Sequence, residues 1–125
     1  MSTLKVGIAS YEEMKALTIA VARGQRRLAP SEPRIWFPST ESFAKVLSAA
    51  NRDLLRVIAE QAPGSLDELA QLTGRQKSNL SRTLKTMANY GLVKLDRGPR
   101  GRIAAKVMHD RIELELPLRR SAAAA

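Results

Sequence analysis

The sequence contains no cysteine and one histidine, His109, among its 125 residues. The lack of cysteine excludes disulfide bonds, thiolate metal sites and thiol-based redox sensing. A lone histidine with no nearby nucleophile or second histidine also lacks the partner that general-base catalysis requires. We therefore expect a protein that is not an enzyme and that uses neither a metal ion nor another cofactor.

Long apolar stretches are also missing. No segment approaches the roughly 18 apolar residues that a membrane-spanning helix needs. Residues 1–10 do not resemble a signal peptide, because no basic region precedes a hydrophobic stretch. These absences predict a cytoplasmic location and no membrane partner.

Positive charge is abundant and unevenly placed. The chain carries 21 lysines and arginines against 12 aspartates and glutamates, a formal net charge of +9, which favours a polyanionic partner such as nucleic acid. Residues 74–106 hold nine basic residues and one acidic residue, Asp96, and so account for +8 of this charge. Because the excess belongs to one contiguous segment, an ordinary solvated surface is the weaker interpretation.

The length suits one folding unit with an added arm. We expect an α+β fold that is mainly helical. The predicted parts are an N-terminal strand-helix-strand arm over residues 1–38, a second domain over residues 39–118 and a disordered tail over residues 119–125.

The arm carries short-range signals for three regular elements. Alternating hydrophobicity predicts strands, and a capping box formed by Ser10 and Glu13 predicts the start of a helix. The predicted elements are a strand at Thr3–Ile8, a helix at Tyr11–Arg23, a loop at Gln25–Pro33 and a strand at Arg34–Phe37. The aromatic pair Trp36 and Phe37 suits either a core or an interface.

Residues 39–118 contain four helical patterns followed by strand patterns. Ser48 and Ser65 supply start signals, and glycine and proline supply stop signals. The predicted elements are helices at Glu41–Leu47, from Ser48 to about Gln61, at Leu66–Leu72 and at Arg75–Tyr90, a hairpin of Leu92–Leu95 and Arg102–Val107, and a last strand at Arg111–Leu116. A helix, a tight glycine turn, a second helix and a basic hairpin follow in the order of a winged helix-turn-helix.

The fourth predicted helix has one apolar and one hydrophilic face. Leu80, Leu84 and Met87 fall on one side of a helical wheel, and the other side carries residue types that contact phosphates and base edges. The hairpin tip adds arginines suited to a minor groove, although an exposed, solubilising hairpin is the alternative. The candidate DNA-binding residues are Arg75, Gln76, Lys77, Ser78, Asn79, Ser81, Arg82, Lys85, Arg97, Arg100 and Arg102.

Residues 65–74 (SLDELAQLTG) and 79–93 (NLSRTLKTMANYGLV) resemble the helix-turn-helix of MarR/ArsR-type winged-helix transcriptional regulators. This resemblance implies that the helix from Arg75 is the recognition helix, that the hairpin is the wing, and that the active form is a homodimeric repressor on a palindromic double-stranded DNA operator. Two features of those families are missing: a cysteine or histidine cluster for sensing metals, and long terminal helices around an effector pocket.

The arm resembles that of small prokaryotic regulators, some of which act as antitoxins. This likeness implies an alternative function, in which the arm binds a partner toxin while the winged helix represses the operon. The strands Thr3–Ile8 and Arg111–Leu116 each need a neighbour that a small domain has few edges to provide, and a second copy would supply one. The predicted dimer or partner interface comprises Leu4, Val6, Ile8, Tyr11, Met14, Leu17 and Val21.

Overall fold

A computed structural model describes residues 2–27 and 32–118 and has an α+β fold. Within these residues there are five α-helices, a three-stranded sheet and a two-stranded sheet. In chain order the elements are β1 (Thr3–Ile8), α1 (Tyr11–Ala22), β2 (Ile35–Phe37), α2 (Thr40–Val46), α3 (Ala49–Gln61), α4 (Leu66–Thr73), α5 (Lys77–Asn89), β3 (Val93–Arg97), β4 (Ile103–Val107) and β5 (Arg111–Glu115). None of the helices in this part of the chain combines the length and apolar character that crossing a membrane requires.

Serine caps start three of the helices, as predicted. Ser10, Ser48 and Ser65 each accept a hydrogen bond from the backbone N–H three residues later, at 3.1, 3.2 and 3.1 Å. Each bond satisfies a donor that the first turn of a helix leaves without a partner. The bounds of α1, α3 and α4 consequently agree with the predicted ones to within a residue.

The described residues form two compact units. The helical unit contains residue 2 and residues 44–110, and the sheet unit contains residues 3–27, 32–43 and 111–118. This division differs from the predicted arm and domain because the last strand, β5, pairs with β1. The predicted tail at residues 119–125 and residues 28–31 of the predicted loop lie outside the described residues.

In the sheet unit, β1 is the central strand and pairs in parallel with both β2 and β5. Its register sets Leu4 beside Ile112, and Val6 beside both Leu114 and Ile35. Side chains at matched positions point to the same side of a sheet, so these apolar residues share one face. The two strands expected to lack neighbours therefore pair with each other inside a single chain.

The aromatic pair of β2 takes two different positions. Phe37 is fully buried, and its ring meets that of Phe43 edge-on with centroids 5.3 Å apart. Trp36 is half-buried and lies beside Gly7 in the register of the sheet. A Cβ atom on Gly7 would stand 2.4 Å from the indole, so only glycine leaves room for this ring. Phe37 thus belongs to a core, and Trp36 covers the central strand.

In the helical unit, one apolar face of each of α3, α4 and α5 supplies the core. The side chains exposed by at most 2% are Leu54, Ile58, Leu69, Leu80, Leu84 and Met87, and burial of one such side chain contributes about 1.5–3 kcal/mol. α4 packs against α5, and the hairpin of β3 and β4 packs against α3 and α5. Because α5 buries a single face, its opposite face stays in contact with solvent.

Candidate nucleic-acid interface

The exposed side of α5 carries five of the eleven predicted contact residues. It lies opposite the core positions Leu80, Leu84 and Met87, because residues three or four apart share one side of a helix. We call this side the α5 polar face; its exposed or half-exposed members are Ser78, Asn79, Ser81, Arg82 and Lys85. Lys77 is also exposed, but it lies at the start of the helix on the side of Leu80 and Leu84. The side chains of the α5 polar face combine cations with hydroxyl and amide groups, which are the types that contact phosphates and base edges.

The N-terminus of α5 is open to an anion. Gln76 has an extended backbone and is the cap residue, so α5 begins two residues later than predicted and neither Arg75 nor Gln76 is helical. The Gln76 side chain makes no capping hydrogen bond, and no acidic residue lies in the first turn. The first-turn N–H groups and the positive end of the helix dipole are therefore left for solvent or an anionic ligand.

A tight turn sets α5 against α4. Gly74 ends α4 with a φ of 72°, in the left-handed region that favours glycine. The Arg75 guanidinium donates from Nη1 to Asn51 Oδ1 at 3.1 Å, and Asn51 Nδ2 donates to the Val46 carbonyl at 2.9 Å. Arg75 is half-buried and bonded to the start of α3, and the DNA contact predicted for it stays a prediction.

The hairpin places its arginines at the tip. β3 and β4 pair in antiparallel fashion from Val93 opposite Val107 to Arg97 opposite Ile103. Arg100 adopts a φ of 62° in the turn, which closes with a hydrogen bond from the Gly98 N–H to the Arg102 carbonyl at 2.7 Å. Arg97, Arg100 and Arg102 are all exposed.

A groove of about 280 Å³ joins the hairpin tip to both helices. It is lined by the first turn of α4, by Lys77 at the start of α5, and by residues 100–103 of the hairpin. Lys77, Arg100 and Arg102 thus line one depression together with a single carboxylate, Asp67. Predicted contact residues from two separated segments of the chain therefore meet at one place.

Ion pairs divide the basic residues into two groups. Lys77 lies 3.0 Å from Asp67, and Lys106 and Lys94 lie 3.2 and 3.9 Å from Asp96. These pairs are exposed and are worth little in water, so Lys77 can exchange its carboxylate for a phosphate at small cost. Among residues 2–27 and 32–118, no ion pair engages the side chains of Arg82, Lys85, Arg97, Arg100 or Arg102. Within the described residues, no carboxylate offsets the charge of these five cations, which leaves them available to an anionic partner.

The sequence did not indicate the side-chain partners of three residues in this region. Asn51 anchors Arg75, Asp67 pairs with Lys77, and Asp96 pairs with two lysines of the hairpin. Asp96 stood out as the only acid in the basic segment, yet its pairing depends on the strand register. Nothing near Asn51 in the sequence points to a partner 24 residues away. In the described part of the chain, no three His, Asp or Glu side chains cluster to hold a metal ion.

The predicted interface residues of the arm separate by burial. Leu4 and Val6 are 5% and 0% exposed, so they pack inside their own chain instead of forming a contact surface. Ile8, Met14 and Leu17 are half-buried. Tyr11 and Val21 on α1 remain exposed.

The candidate interface lies within the part of the chain that matches a known family. No curated protein matches the sequence. The model of the HVO_A0114 family matches residues 46–114, from the end of α2 through the hairpin and into β5. Because this match covers more than half of the chain, the protein belongs to the HVO_A0114 family.

Proposed function

We propose that the protein is a sequence-specific, double-stranded DNA-binding regulator of the winged helix-turn-helix type that represses transcription as a homodimer. One observation carries the proposal. The α5 polar face and the hairpin tip hold five cations without an ion-pair partner among the described residues, and Lys77 at the start of α5 lines one groove with Arg100 and Arg102 of the hairpin. Unpaired cations on a helix and an adjacent hairpin match the charge and shape of a duplex.

The dimensions of α5 support insertion into a major groove. A helix of 13 residues is about 20 Å long, and the major groove is about 12 Å wide and admits a single α-helix. The open N-terminus of α5 then approaches the DNA first, as in other helix-turn-helix proteins. In this pose the hairpin plays the part of the wing.

Each group of residues has a proposed role. Ser78, Asn79 and Arg82 read base edges, because asparagine pairs with adenine and arginine with guanine. Lys77, Lys85 and the hairpin arginines hold phosphates or enter the minor groove, which fixes the position of the protein without reading sequence. Arg75 supports α5 through Asn51 instead of contacting DNA.

Two copies bind a palindromic site in this proposal. Each recognition helix enters one half-site, so the two helices stand about 34 Å apart, one turn of DNA. The resemblance to MarR/ArsR-type regulators supports this arrangement and the assignment as a repressor.

Three arginine variants test the proposal. Arg82→Ala should cost about 1–3 kcal/mol on the operator and relax specificity at one base position. Arg100→Ala should weaken binding to operator and random duplexes alike, because a phosphate contact carries no sequence information. Arg56→Ala is the matched control: it removes the same charge from an exposed position on α3, where Arg56 pairs with Asp53.

Fluorescence anisotropy on operator and random duplexes separates the outcomes. Arg56→Ala should leave both affinities nearly unchanged. Equal losses on both duplexes for Arg82→Ala would show that α5 does not read bases. Equal effects of all three variants would show that binding follows net charge alone and would overturn the proposed interface.

A further inference from the structure

One edge of the parallel sheet has no neighbour in the described chain. β5 hydrogen-bonds to β1 on one side only, and the sheet order is β2, β1, β5. A sheet edge exposes backbone N–H and C=O groups that another strand can pair with. β5 is regular over five residues, and no proline interrupts it. The edge is therefore competent to add a strand.

The apolar side chains of this edge are incompletely covered. Ile112 and Leu114 of β5 are half-buried, whereas Leu4 and Val6, their register partners on β1, are 5% and 0% exposed. Leu116, just beyond β5, is 50% exposed. An added strand would extend the apolar face of the sheet and bury these side chains further.

The residues of β5 complement a second copy of the same strand. In an antiparallel pair centred on Glu113, Ile112 lies opposite Leu114 of the partner subunit, and Arg111 lies opposite Glu115 of the partner subunit. The two-fold symmetry repeats both contacts, so each copy contributes one arginine and one glutamate to two ion pairs. A register shifted by one residue would set apolar side chains opposite charged ones.

Glu113 lies at the centre of this register, and cations of its own chain partly compensate its negative charge. Glu113 of one copy lies opposite Glu113 of the partner subunit, and like charges in that position repel. Glu113 is, however, matched to Lys5 on β1 and lies 4.0 Å from Arg111 Nη1. These two cations reduce the repulsion at the centre.

We propose that two copies of the protein associate through β5, forming a continuous six-stranded sheet in the order β2-β1-β5-β5-β1-β2. This inference rests on the proposed function in one respect: it identifies the surface through which the proposed homodimer forms. It replaces the predicted contacts at Leu4 and Val6, which lie in the sheet core. The interface uses backbone hydrogen bonds along the edge, and the Arg111 and Glu115 pairs set its register.

Charge reversal on the full-length chain tests the pairing without DNA. Arg111→Glu and Glu115→Arg each convert both symmetric ion pairs into repulsive pairs. Each single variant should therefore raise the dimer dissociation constant at least about tenfold. An equimolar mixture of the two variants should restore a dimer, because each arginine then faces a glutamate of the other chain.

Sedimentation velocity, with circular dichroism to show that each variant is folded, gives the readout. The proposal expects a wild-type dimer, weakened single variants and a heterodimer in the mixture. A monomeric wild type, or single variants that dimerise as well as the wild type, would overturn it. A mixture that stays monomeric would also overturn it, because that result would mean that Arg111 and Glu115 do not face each other. Since no DNA is present, these results test the homodimer and its β5 interface, whereas the arginine variants test the DNA contacts of α5 and the hairpin separately.

Discussion

Asn51 and Asn79 differ in their surroundings: Asn51 is hydrogen-bonded within the protein, and Asn79 is exposed to solvent. Asn51 bridges the Val46 carbonyl and the Arg75 guanidinium inside the helical unit, whereas Asn79 is exposed on the α5 polar face. Loss of the Asn51 side chain leaves both groups without their partner, and a net hydrogen bond is worth about 1 kcal/mol. The two asparagines should therefore affect different properties of the protein.

We predict that Asn51→Ala lowers the free energy of unfolding by about 1–2 kcal/mol, measured by urea denaturation. Asn79→Ala should leave that free energy nearly unchanged and weaken operator binding, measured by anisotropy. A stability loss for Asn79→Ala equal to that for Asn51→Ala would contradict this division. So would an Asn51→Ala variant as stable as the wild type.

Position 7 requires glycine because the aromatic ring of Trp36 lies close to it. A Cβ atom at this position would come within 2.4 Å of Trp36, so Gly7→Ala should destabilise the sheet unit by about 1–3 kcal/mol through overpacking. Gly64→Ala is the control, because its Cβ would meet only Glu68 Oε2, at 3.6 Å. Thermal unfolding measures both variants, and a Gly7→Ala protein that melts with the wild type would contradict the packing of this ring.

At the scale of elements, local signals predicted the helices far better than the pairing of the strands. Serine caps and apolar spacing depend on residues within one or two turns, so α1, α3 and α4 were correctly bounded. β1 and β5 were also recognised as strands from their alternation. Their parallel pairing joins Thr3 to Arg111, and no local pattern encodes a pairing over such a separation. The prediction therefore assigned the missing neighbour to a second molecule.

The hairpin tip acts as a unit in the proposed complex. Arg100→Ala combined with Arg102→Ala should reduce the slope of log K against log salt by about two, because each arginine neutralises one phosphate. The strain at position 100 stays unchanged, because alanine and arginine are equally disfavoured at its φ of 62°.

The control is the double variant Arg52→Ala with Arg56→Ala. It removes two exposed arginines from α3 and so lowers the net charge by the same amount. Binding measured across a series of salt concentrations should give the control a slope close to that of the wild type. If both double variants change the slope equally, the hairpin has no special position at the DNA.

At the scale of the whole molecule, the basic segment predicted a candidate surface but not the partner of each cation. The contiguous excess of charge predicted one positive surface, which stays a prediction, and Lys77 of α5 lines a common groove with Arg100 and Arg102 of the hairpin. The roles of single residues depended on tertiary neighbours, as Arg75 shows by its bond to Asn51. Charge density is a property of composition, whereas the choice of partner for each cation is a property of the fold.

The central claim is that this surface recognises a specific duplex. The most direct measurement is an anisotropy titration of the full-length protein against the DNA upstream of its own gene and against a scrambled duplex, at two salt concentrations. We expect tighter binding to the upstream DNA, with a preference of at least about a thousandfold over the scrambled duplex and weaker binding to both as salt rises. Equal affinity for both duplexes, or no binding at physiological salt, would contradict the claim.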